Sequence, residues 1–381
     1  MENKWVTTVA GPGKERRLTL RNAKSGWYVV NFEGLKSVQE EIKNTRWDSI
    51  IVDESRRIAN PKNVSTKILQ SLPRHSHQIR QVLSGEPAPE TPLEYFEQLR
   101  FVYGRAFGHT NYWSFRNAFF YEVAPHEWVI KRNLVDRFKK ELHDLAFFMS
   151  WKEAGLKETK IREVRTVQLP PKIRRIYDGI KKDFVAQLEE RIVETKWLPV
   201  QYGWLHQLSS GWFGPDCLYR GKVEALEDLL ESELRSEQVV VWFKFNAPLR
   251  YCLQSLAAKR IPVGAIYGAE SRQQREASID AFREGRYRVL LCQIKCAKTA
   301  IDLSNSSTSI YFANSPSNEE RKQSEARIAH PLKKKANLYI DLLTENTVEE
   351  DILETLKSKR QESAFYWSKI LLNRLIKGEK K

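Results

Sequence analysis

The stretch "IIVDESRRI", residues 50–58, decides where the first candidate site of this chain lies. Its three leading residues are apolar, and they run directly into the acidic pair Asp53 and Glu54. A short apolar run is typical of a strand buried in a parallel sheet, and the polar residues after it lie at the carboxyl edge of that sheet. Two carboxylates at such an edge can hold Mg²⁺ and polarise a water molecule. An acidic pair that only caps a helix is the alternative interpretation.

Strand and helix patterns alternate on both sides of this stretch. The first set has strands over 27–32, 48–54 and 78–83 and helices over 34–44 and 61–72. The second set has strands over 239–245, 263–268, 288–294, 308–314 and 336–343 and helices over 247–259, 271–283, 317–330 and 348–360. Alternation of this kind predicts an α/β fold with two parallel-sheet lobes.

The section between these two sets has a different character. From about Pro92 to Ser210 strand signals become rare, and aromatic, basic helical stretches such as "NYWSFRNAFFYE" (111–122) replace them. We interpret most of these aromatic residues as core rather than as platforms for nucleic-acid bases. The expected organisation is a partial first lobe (1–110), a helical bridging section (111–218), a second lobe (219–357) and a basic helical tail (358–381).

The charge balance indicates a polyanionic partner. The chain has 381 residues and a formal net charge of +15. The window from Lys131 to Lys182 contains 15 Lys and Arg against 7 Asp and Glu, which is more than half of that excess. Nucleic acid is the usual partner of such a protein, and one solvated helix face is the alternative. The candidate phosphate contacts in this window are Lys131, Arg132, Arg174 and Arg175.

Other classes of site receive little support. The four Cys residues show no Cys-x-x-Cys spacing, and the one close His pair lacks further ligands nearby, so we predict no structural metal site. No signal peptide is recognisable, and no apolar run approaches the ~18 residues of a membrane span. We therefore expect a cytoplasmic protein.

A second candidate site lies on the helix predicted over 317–330. Gln323 and Arg327 are four residues apart and so share one helix face. An arginine presented in this way can stabilise charge on a phosphoryl group during its transfer. A solvated helix of mixed charge is the alternative for this segment taken alone.

Seven stretches follow one another in a fixed order along the chain. They are "DESRRIANPKN" (53–63), "LSGEPAPETPLEYFEQLRFV" (83–102), "VVVWFKF" (239–245), "IYGAESRQQREASIDAFREG" (266–285), "VLLCQIKCAKTAIDLSNSSTSIYF" (289–312), "QSEARIAHP" (323–331) and "ENTVEEDILETLKSKR" (345–360). In this order they resemble motifs II, III and IV, the GxxxxxxR segment, motifs V and VI, and the closing helix of superfamily 2 helicases of the Swi/Snf type. The resemblance covers about residues 5–360, and the sequences of these stretches are most similar to those of phage-encoded members.

The resemblance implies a fold, a reaction and its partners. Two RecA-like lobes, the first one incomplete, would couple hydrolysis of ATP with Mg²⁺ to movement on nucleic acid, with double-stranded DNA favoured. A phage-encoded member would work in the cytoplasm of its host. The same resemblance implies that Asp53 holds Mg²⁺ through water, that Glu54 activates the attacking water and that Arg327 is the arginine finger.

Further residues take their roles from the same motifs. The resemblance implies that Gln323, His330, Asp302 and Gly268 bind the nucleotide together with Arg327. It implies that motif V, with Thr299, contacts the nucleic-acid backbone. The residues implied to couple hydrolysis to lobe movement are Ser84, Gly85 and Arg56.

Several positions depart from the family pattern. Motif II has Arg56 where His is usual, motif III has Glu86 where Thr is usual, and motif V has Asp302 where Asn is common. Ala300 replaces a Gly in motif V, and His330 replaces the second Arg of motif VI. His330 matters most, because a neutral imidazole cannot supply the fixed charge of a guanidinium.

The phosphate cradle that the family places upstream of motif II is not found. Only "TTVAGPGKER" (7–16) has a similar pattern, and it has Thr8 in place of the first Gly and Glu15 in place of Ser or Thr. We interpret it as an ordinary glycine turn before a helix. The strand that carries Asp53 would then have an open edge. We expect a second polypeptide to supply the cradle, or the start of the sequence to be an artefact.

Three functions remain open at this point. The first is a DNA helicase or translocase core that hydrolyses ATP. The second is a nucleic-acid-binding module without ATPase activity, which His330 and the missing cradle favour and the retained Asp53, Glu54, Gln323 and Arg327 disfavour. The third is one subunit of a split ATPase.

Overall fold

The computed structural model describes residues 5–85, 87–88, 91–124, 127–150, 153–155, 159–189, 198–268, 270–298, 301–330 and 333–358. The chain divides into two compact units, Met1–Phe148 and Met149–Lys381. Across the described residues, no helix combines the length and the apolar character that crossing a membrane requires.

The first unit begins with short parallel strands separated by helices. Its elements up to residue 82 are β1 (Val6–Thr8), α1 (Gly13–Arg21), β2 (Trp27–Val29), α2 (Leu35–Asn44), β3 (Ser49–Val52), α3 (Val64–Gln70) and β4 (Ile79–Val82). β1 pairs with β2 and β3 pairs with β4, both in parallel. Among the described strands β3 pairs with β4 alone, as expected for a strand with an open edge.

Side-chain alternation in β3 explains where Asp53 points. Val52 is buried and Ile50 packs against the same core, which α2 and α3 complete with Val38 and Ile68. Ile51, between them, is 42% exposed on the other side of the strand. Because successive strand residues alternate between faces, Asp53 continues on the side of Ile51, away from this core.

The remainder of the first unit is built on aromatic residues. It consists of α4 (Tyr95–Tyr103), α5 (Tyr112–Phe119), the antiparallel pair β5 (Phe120–Ala124) and β6 (Glu127–Ile130), and α6 (Val135–Leu145). Phe96 of α4, Phe115 of α5 and Phe138 of α6 are buried together. The aromatic residues here are therefore mainly core, as interpreted from the sequence. Because this core joins α5 and α6 to α4, the first unit extends past residue 110, the boundary expected from the sequence.

The second unit contains a six-stranded parallel sheet. Its helices and strands are β7 (Lys160–Val167), α7 (Pro171–Glu189), α8 (Leu198–Ser209), β8 (Trp212–Phe213), β9 (Asp216–Cys217), α9 (Gly221–Glu231), β10 (Val239–Phe243), α10 (Asn246–Ala258), β11 (Val263–Ile266), α11 (Arg272–Arg283), β12 (Val289–Gln293), β13 (Thr308–Tyr311), α12 (Asn318–Ala326), β14 (Asn337–Thr344) and α13 (Val348–Ser358). The strand order is β11-β12-β10-β13-β14-β7. The α/β class with a parallel sheet is confirmed.

The central strand β10 shows why a continuous apolar run folds here. All five of its residues are buried. Val239, Val241 and Phe243 belong to one core, and Val240 and Trp242 belong to another on the opposite face. A strand covered by helices on both faces needs apolar residues at every position, which "VVVWF" supplies.

The edge strand β7 was not foreseen. It lies inside the section expected to be helical, and it pairs in parallel with β14 over eight residues, from Lys160 opposite Asn337 to Val167 opposite Thr344. Its sequence, "KIREVRTV", mixes charged and apolar residues, and most of it is exposed. Charged side chains are tolerated here because an edge strand has only one neighbour.

Candidate functional site

Asp53 and Glu54 lie just beyond the carboxyl end of β3, as predicted. Both are exposed. Oδ1 of Asp53 accepts a hydrogen bond from the backbone N–H of Glu54 at 2.9 Å. Glu54 has φ 49° and ψ 51°, a left-handed conformation that residues other than glycine rarely adopt. Strained backbone of this kind is concentrated at functional sites, where neighbouring contacts hold it.

Motif II is tied to the start of motif III by backbone hydrogen bonds. Ser55 N donates to the carbonyl oxygen of Leu83 at 2.9 Å, and Leu83 N donates to that of Val52 at 2.9 Å. Ser84 and Gly85 follow Leu83 directly, so the structure brings them beside the acidic pair. Arg56, half-buried, is the second residue of the short 3₁₀ turn Ser55–Ile58 that follows Glu54. Glu86 lies outside the described residues.

The acidic pair fits Mg²⁺ only as a partial ligand set. Among the described residues, no group of three or more His, Cys, Asp or Glu side chains could hold a metal ion. Asp53 offers one exposed carboxylate, and an ion of this kind commonly uses one or two carboxylates, with water and phosphate oxygens completing its shell. Asp53 therefore suits an ion that arrives with a phosphate ligand.

Residues 7–16 form a glycine turn that leads into α1. Gly11 turns the chain at φ +87°, and α1 begins at Gly13 with Glu15 in its first turn. The Arg16 Nε donates to the Gly11 carbonyl oxygen at 2.7 Å, and the Glu15 carboxylate lies against Gly11. A carboxylate at this place repels phosphate, so the interpretation as a glycine turn before a helix agrees with the structure.

In the second unit, α12 presents Gln323 and Arg327 on a partly buried face. Ser317 caps the helix by accepting from the backbone N–H of Glu320. Gln323 Nε2 donates to Oε1 of Glu319, one turn earlier, at 3.1 Å. Arg327 follows the last helical residue, Ala326.

A buried charge network fixes the other face of α12. Arg321 donates from Nε to Oε1 of Glu325 at 2.8 Å and from Nη1 to Asn314 and to the Asp341 carboxylate. Arg162 of β7 donates to Oε2 of Glu325 at 2.8 Å. Burial raises the pKa of Glu325, but the hydrogen bond from Arg162 and the charge of Arg321 outweigh it and hold that pKa at about 2. The network anchors the helix that carries Gln323 and Arg327.

Motifs V and VI meet beside the end of α12. Leu303 N donates to the carbonyl oxygen of Arg327 at 2.9 Å, which joins motif V to motif VI. Hydrogen bonds from Ser304 lower the pKa of Asp302 most, and the charge of Arg283 lowers it further. Asp302, the residue before Leu303, is thus placed near Arg327. Thr299 and Ala300 lie outside the described residues.

Gly268 belongs to a neighbouring set of contacts at the carboxyl ends of β11 and β12. Its N–H donates to Oε1 of Gln293 at 3.2 Å, and its carbonyl oxygen accepts from Arg275 at 3.2 Å. Gly268 and Arg275 are the Gly and the Arg of the GxxxxxxR segment, whereas the sequence alone did not single out Gln293. The signal available for Gln293 was its position as the last residue of a strand, the same signal that identified Asp53.

Of the four basic candidates, two form hydrogen bonds to backbone carbonyl oxygens and two are exposed. Lys131 Nζ donates to the carbonyl oxygens of Asn117 at 2.8 Å and Ala118 at 3.1 Å, near the end of α5. Arg174 donates to carbonyl oxygens in the turn before α13. The remaining two, Arg132 and Arg175, are exposed.

Comparison with known proteins gives two domain matches that together span most of the chain. Residues 7–207 match the SNF2-related domain, and residues 221–331 match the helicase conserved C-terminal domain. No curated protein is similar enough to this chain to count as a match.

Three solved structures of low sequence identity also match the chain. The C-terminal part of the Fun30 ATPase domain is 15% identical, with 58% of this chain and 99% of that chain covered and a TM-score of 0.46. The Sulfolobus solfataricus SWI2/SNF2 ATPase core, solved in complex with dsDNA, is 16% identical, with 98% and 77% covered and a TM-score of 0.44. The C-terminal domain of a Sulfolobus solfataricus SWI2/SNF2 ATPase is 15% identical, with 57% and 97% covered and a TM-score of 0.44.

Proposed function

Because the chain belongs to the SNF2-related family, we propose that it is the core of an ATP-dependent DNA translocase. The observation that carries this proposal is the acidic pair at the end of β3, in which Glu54 is held in a strained left-handed conformation. Strained backbone clusters at functional sites, and at an exposed acidic residue it supports a chemical role for that carboxylate.

In this proposal the two carboxylates have separate tasks. Asp53 already accepts one hydrogen bond from the backbone of Glu54, which fixes its carboxylate in place and leaves the second oxygen to bind an ion or its water. Glu54 orients the attacking water and accepts its proton. Bound Mg²⁺ would neutralise charge on the phosphate oxygens of ATP.

The second unit supplies the positive charge. We assign Arg327 to the stabilisation of charge on the phosphoryl group and Gln323 to hydrogen bonding of the nucleotide. The buried network of Arg321, Glu325 and Asp341 supports this assignment, because a fixed helix holds Arg327 with less loss of entropy on binding.

The phosphate cradle is proposed to come from polypeptide other than residues 7–16. The support is the Glu15 carboxylate against Gly11, which opposes phosphate binding at that turn. A split ATPase and a longer form of this chain both satisfy this proposal.

The proposed nucleic-acid partner is double-stranded DNA, bound through phosphates. The net charge of +15 supports it, and so does the exposure of Arg132 and Arg175. Binding through phosphates is tolerant of sequence and weakens steeply with salt.

A binding module without ATPase activity is the second candidate. The observation that favours it is His330, which stands at the second Arg of motif VI and lacks the fixed charge of a guanidinium. Such a module would bind DNA with the same salt dependence and would leave ATP intact.

The deciding experiment is DNA-stimulated ATP hydrolysis by the purified chain, with Glu54→Gln as the control. Hydrolysis that Glu54→Gln abolishes supports the translocase. If the chain alone binds DNA without hydrolysis, the assay is repeated with an added polypeptide that carries a G-x-x-x-x-G-K-[ST] loop. Restored hydrolysis supports a split or extended ATPase, and none supports the binding module.

A further inference from the structure

Gln98 is a buried amide on α4 whose hydrogen bonds end on both motifs of the first unit. Its side chain is 2% exposed. Oε1 accepts from the hydroxyl of Ser55 at 2.6 Å. Nε2 donates to the carbonyl oxygens of Pro87 at 2.7 Å and Glu94 at 2.9 Å. Both donors and an acceptor are therefore satisfied, which orients the amide in one way only.

The hydrogen-bond partners of Gln98 lie close in sequence to the acidic pair and to Ser84. Ser55 directly follows Glu54 and is itself 1% exposed. Pro87 lies in the stretch that follows β4, three residues after Ser84. One side chain thus joins the turn that carries the acidic pair to the stretch implied to couple hydrolysis to movement.

The strained backbone of Glu54 is held from both sides. On its amino side, its N–H donates to the Asp53 carboxylate. On its carboxyl side, Ser55 is fixed through its N–H by Leu83 and through its hydroxyl by Gln98. A left-handed residue other than glycine persists only where its surroundings determine it, and Gln98 supplies the one side-chain contact on that carboxyl side among these bonds.

We propose that Gln98 is a positioning residue that transmits the position of the 83–88 stretch to the Glu54 carboxylate. The inference rests on the proposed function, in which Glu54 is the base. A displacement of the Pro87 carbonyl moves the amide of Gln98, and the amide moves the Ser55 hydroxyl. The direction of Glu54 then depends on the state of the stretch that contains Ser84 and Gly85.

Gln70 provides a matched control. It is also a glutamine hydrogen-bonded to α4, and its Nε2 donates to the backbone carbonyl oxygen of Glu97 at 2.8 Å and to its carboxylate at 2.9 Å. Loss of these bonds disturbs the same helix without removing a bond to Ser55 or Pro87.

The first test compares Gln98→Leu, Ser55→Ala, their double variant and Gln70→Leu in the ATP-hydrolysing form with saturating DNA. We expect Gln98→Leu and Ser55→Ala each to lower kcat about tenfold, the size of one lost hydrogen bond, with KM for ATP unchanged. The double variant should be no slower than the worse single one, because both remove the same bond. Ser55→Thr, which keeps the hydroxyl, should restore the rate. Equal losses in Gln98→Leu and Gln70→Leu, or additive losses in the double variant, would overturn the proposal.

Gln98→Glu, which keeps the length of the side chain, separates the two halves of the bridge. A glutamate keeps the acceptor for Ser55 but cannot donate to Pro87. We expect kcat to fall as in Gln98→Leu, because the 83–88 stretch is disconnected. A wild-type kcat in Gln98→Glu would contradict transmission through the amide.

Amide hydrogen exchange of the full chain tests the bridge without ATP, so a failure of the proposed function is distinguishable from a failure of this inference. In Gln98→Leu we expect faster exchange at Ser55 and Leu83, whose N–H groups donate to carbonyl oxygens of this link, with α3 unchanged. In Gln70→Leu those two amides should exchange at the wild-type rate. Wild-type exchange at Ser55 in Gln98→Leu would overturn the link.

Discussion

Arg174 donates from Nη2 to the backbone carbonyl oxygen of Glu345 at 2.6 Å, while the next residue, Arg175, is exposed. A second bond from Nη1 to the carbonyl oxygen of Asn346 at 2.8 Å completes the contact. Arg174 therefore ties α7 to the turn before α13. Two adjacent arginines that look equivalent in the sequence have different surroundings.

Arg175→Glu is expected to weaken DNA binding and to flatten its salt dependence, because it removes one phosphate contact and adds a repulsive charge. Binding of a DNA duplex at several salt concentrations measures both effects. Arg174→Ala is the matched variant, and it should lower the free energy of unfolding by about 1–3 kcal/mol, because it removes two hydrogen bonds from a charged donor to the turn before α13. An unchanged salt slope in Arg175→Glu would place the DNA contact elsewhere.

Glu54→Gly is expected to stabilise the chain while abolishing hydrolysis. Glycine adopts the left-handed conformation at no steric cost, so the free energy of unfolding should rise by up to about 1 kcal/mol. Chemical denaturation measures the change, and Glu54→Ala, which keeps the strain, should show no such gain. A loss of stability in Glu54→Gly would mean that the carboxylate makes a stabilising contact.

Arg321→Leu is expected to destabilise the chain by about 3–5 kcal/mol, because it leaves the buried Asp341 carboxylate without its cation. Lys322→Leu, an exposed position on the same helix, should change stability by less than about 0.5 kcal/mol. Denaturant unfolding compares the two. Similar effects in both variants would contradict the anchoring role of the network.

His206 is expected to make stability depend on pH. Burial, together with the charges of Lys222 and Lys244, lowers the pKa of His206 to about 3. Below about pH 6.5 the unfolded chain binds a proton at His206 and the folded chain does not. The contribution of neutral His206 to the free energy of unfolding is therefore complete above that pH and is lost as the pH falls. Between pH 7 and pH 5 the loss should be about 2 kcal/mol.

Thermal unfolding at several pH values checks this dependence. His206→Phe is the control, because it keeps a ring against Phe245, 5.0 Å away, and removes the titration. Equal pH dependence in the wild type and in this variant would assign the effect to other groups.

The sequence predicted those elements whose pattern follows from burial. Strand β10 is apolar throughout, and β12 is apolar up to Gln293, because both faces are covered, and Ser271 with Gln274 forms the expected capping box. Asp53 was recognisable because it follows the apolar run of β3, although Ile51 of that strand is exposed.

The remainder depends on contacts between distant residues. The edge strand β7 carries the charged residues Lys160 and Arg162. From the sequence they indicate a solvated face, but in the structure both form ion pairs with Glu325. The helix α5 gives way to β5 within an aromatic run that contains no Gly or Pro. Gln98 and Ser55 are 43 residues apart in the sequence, and no local pattern predicts the hydrogen bond between them.

The pairing of β7 with β14 has a consequence for biosynthesis. β7 is the first strand of its sheet to leave the ribosome, and β14 follows roughly 180 residues later as the last. At ordinary rates of translation the delay is about 10–35 s. Throughout that interval β7 has no partner strand. Its charged residues oppose pairing of this strand with other nascent chains on the same mRNA.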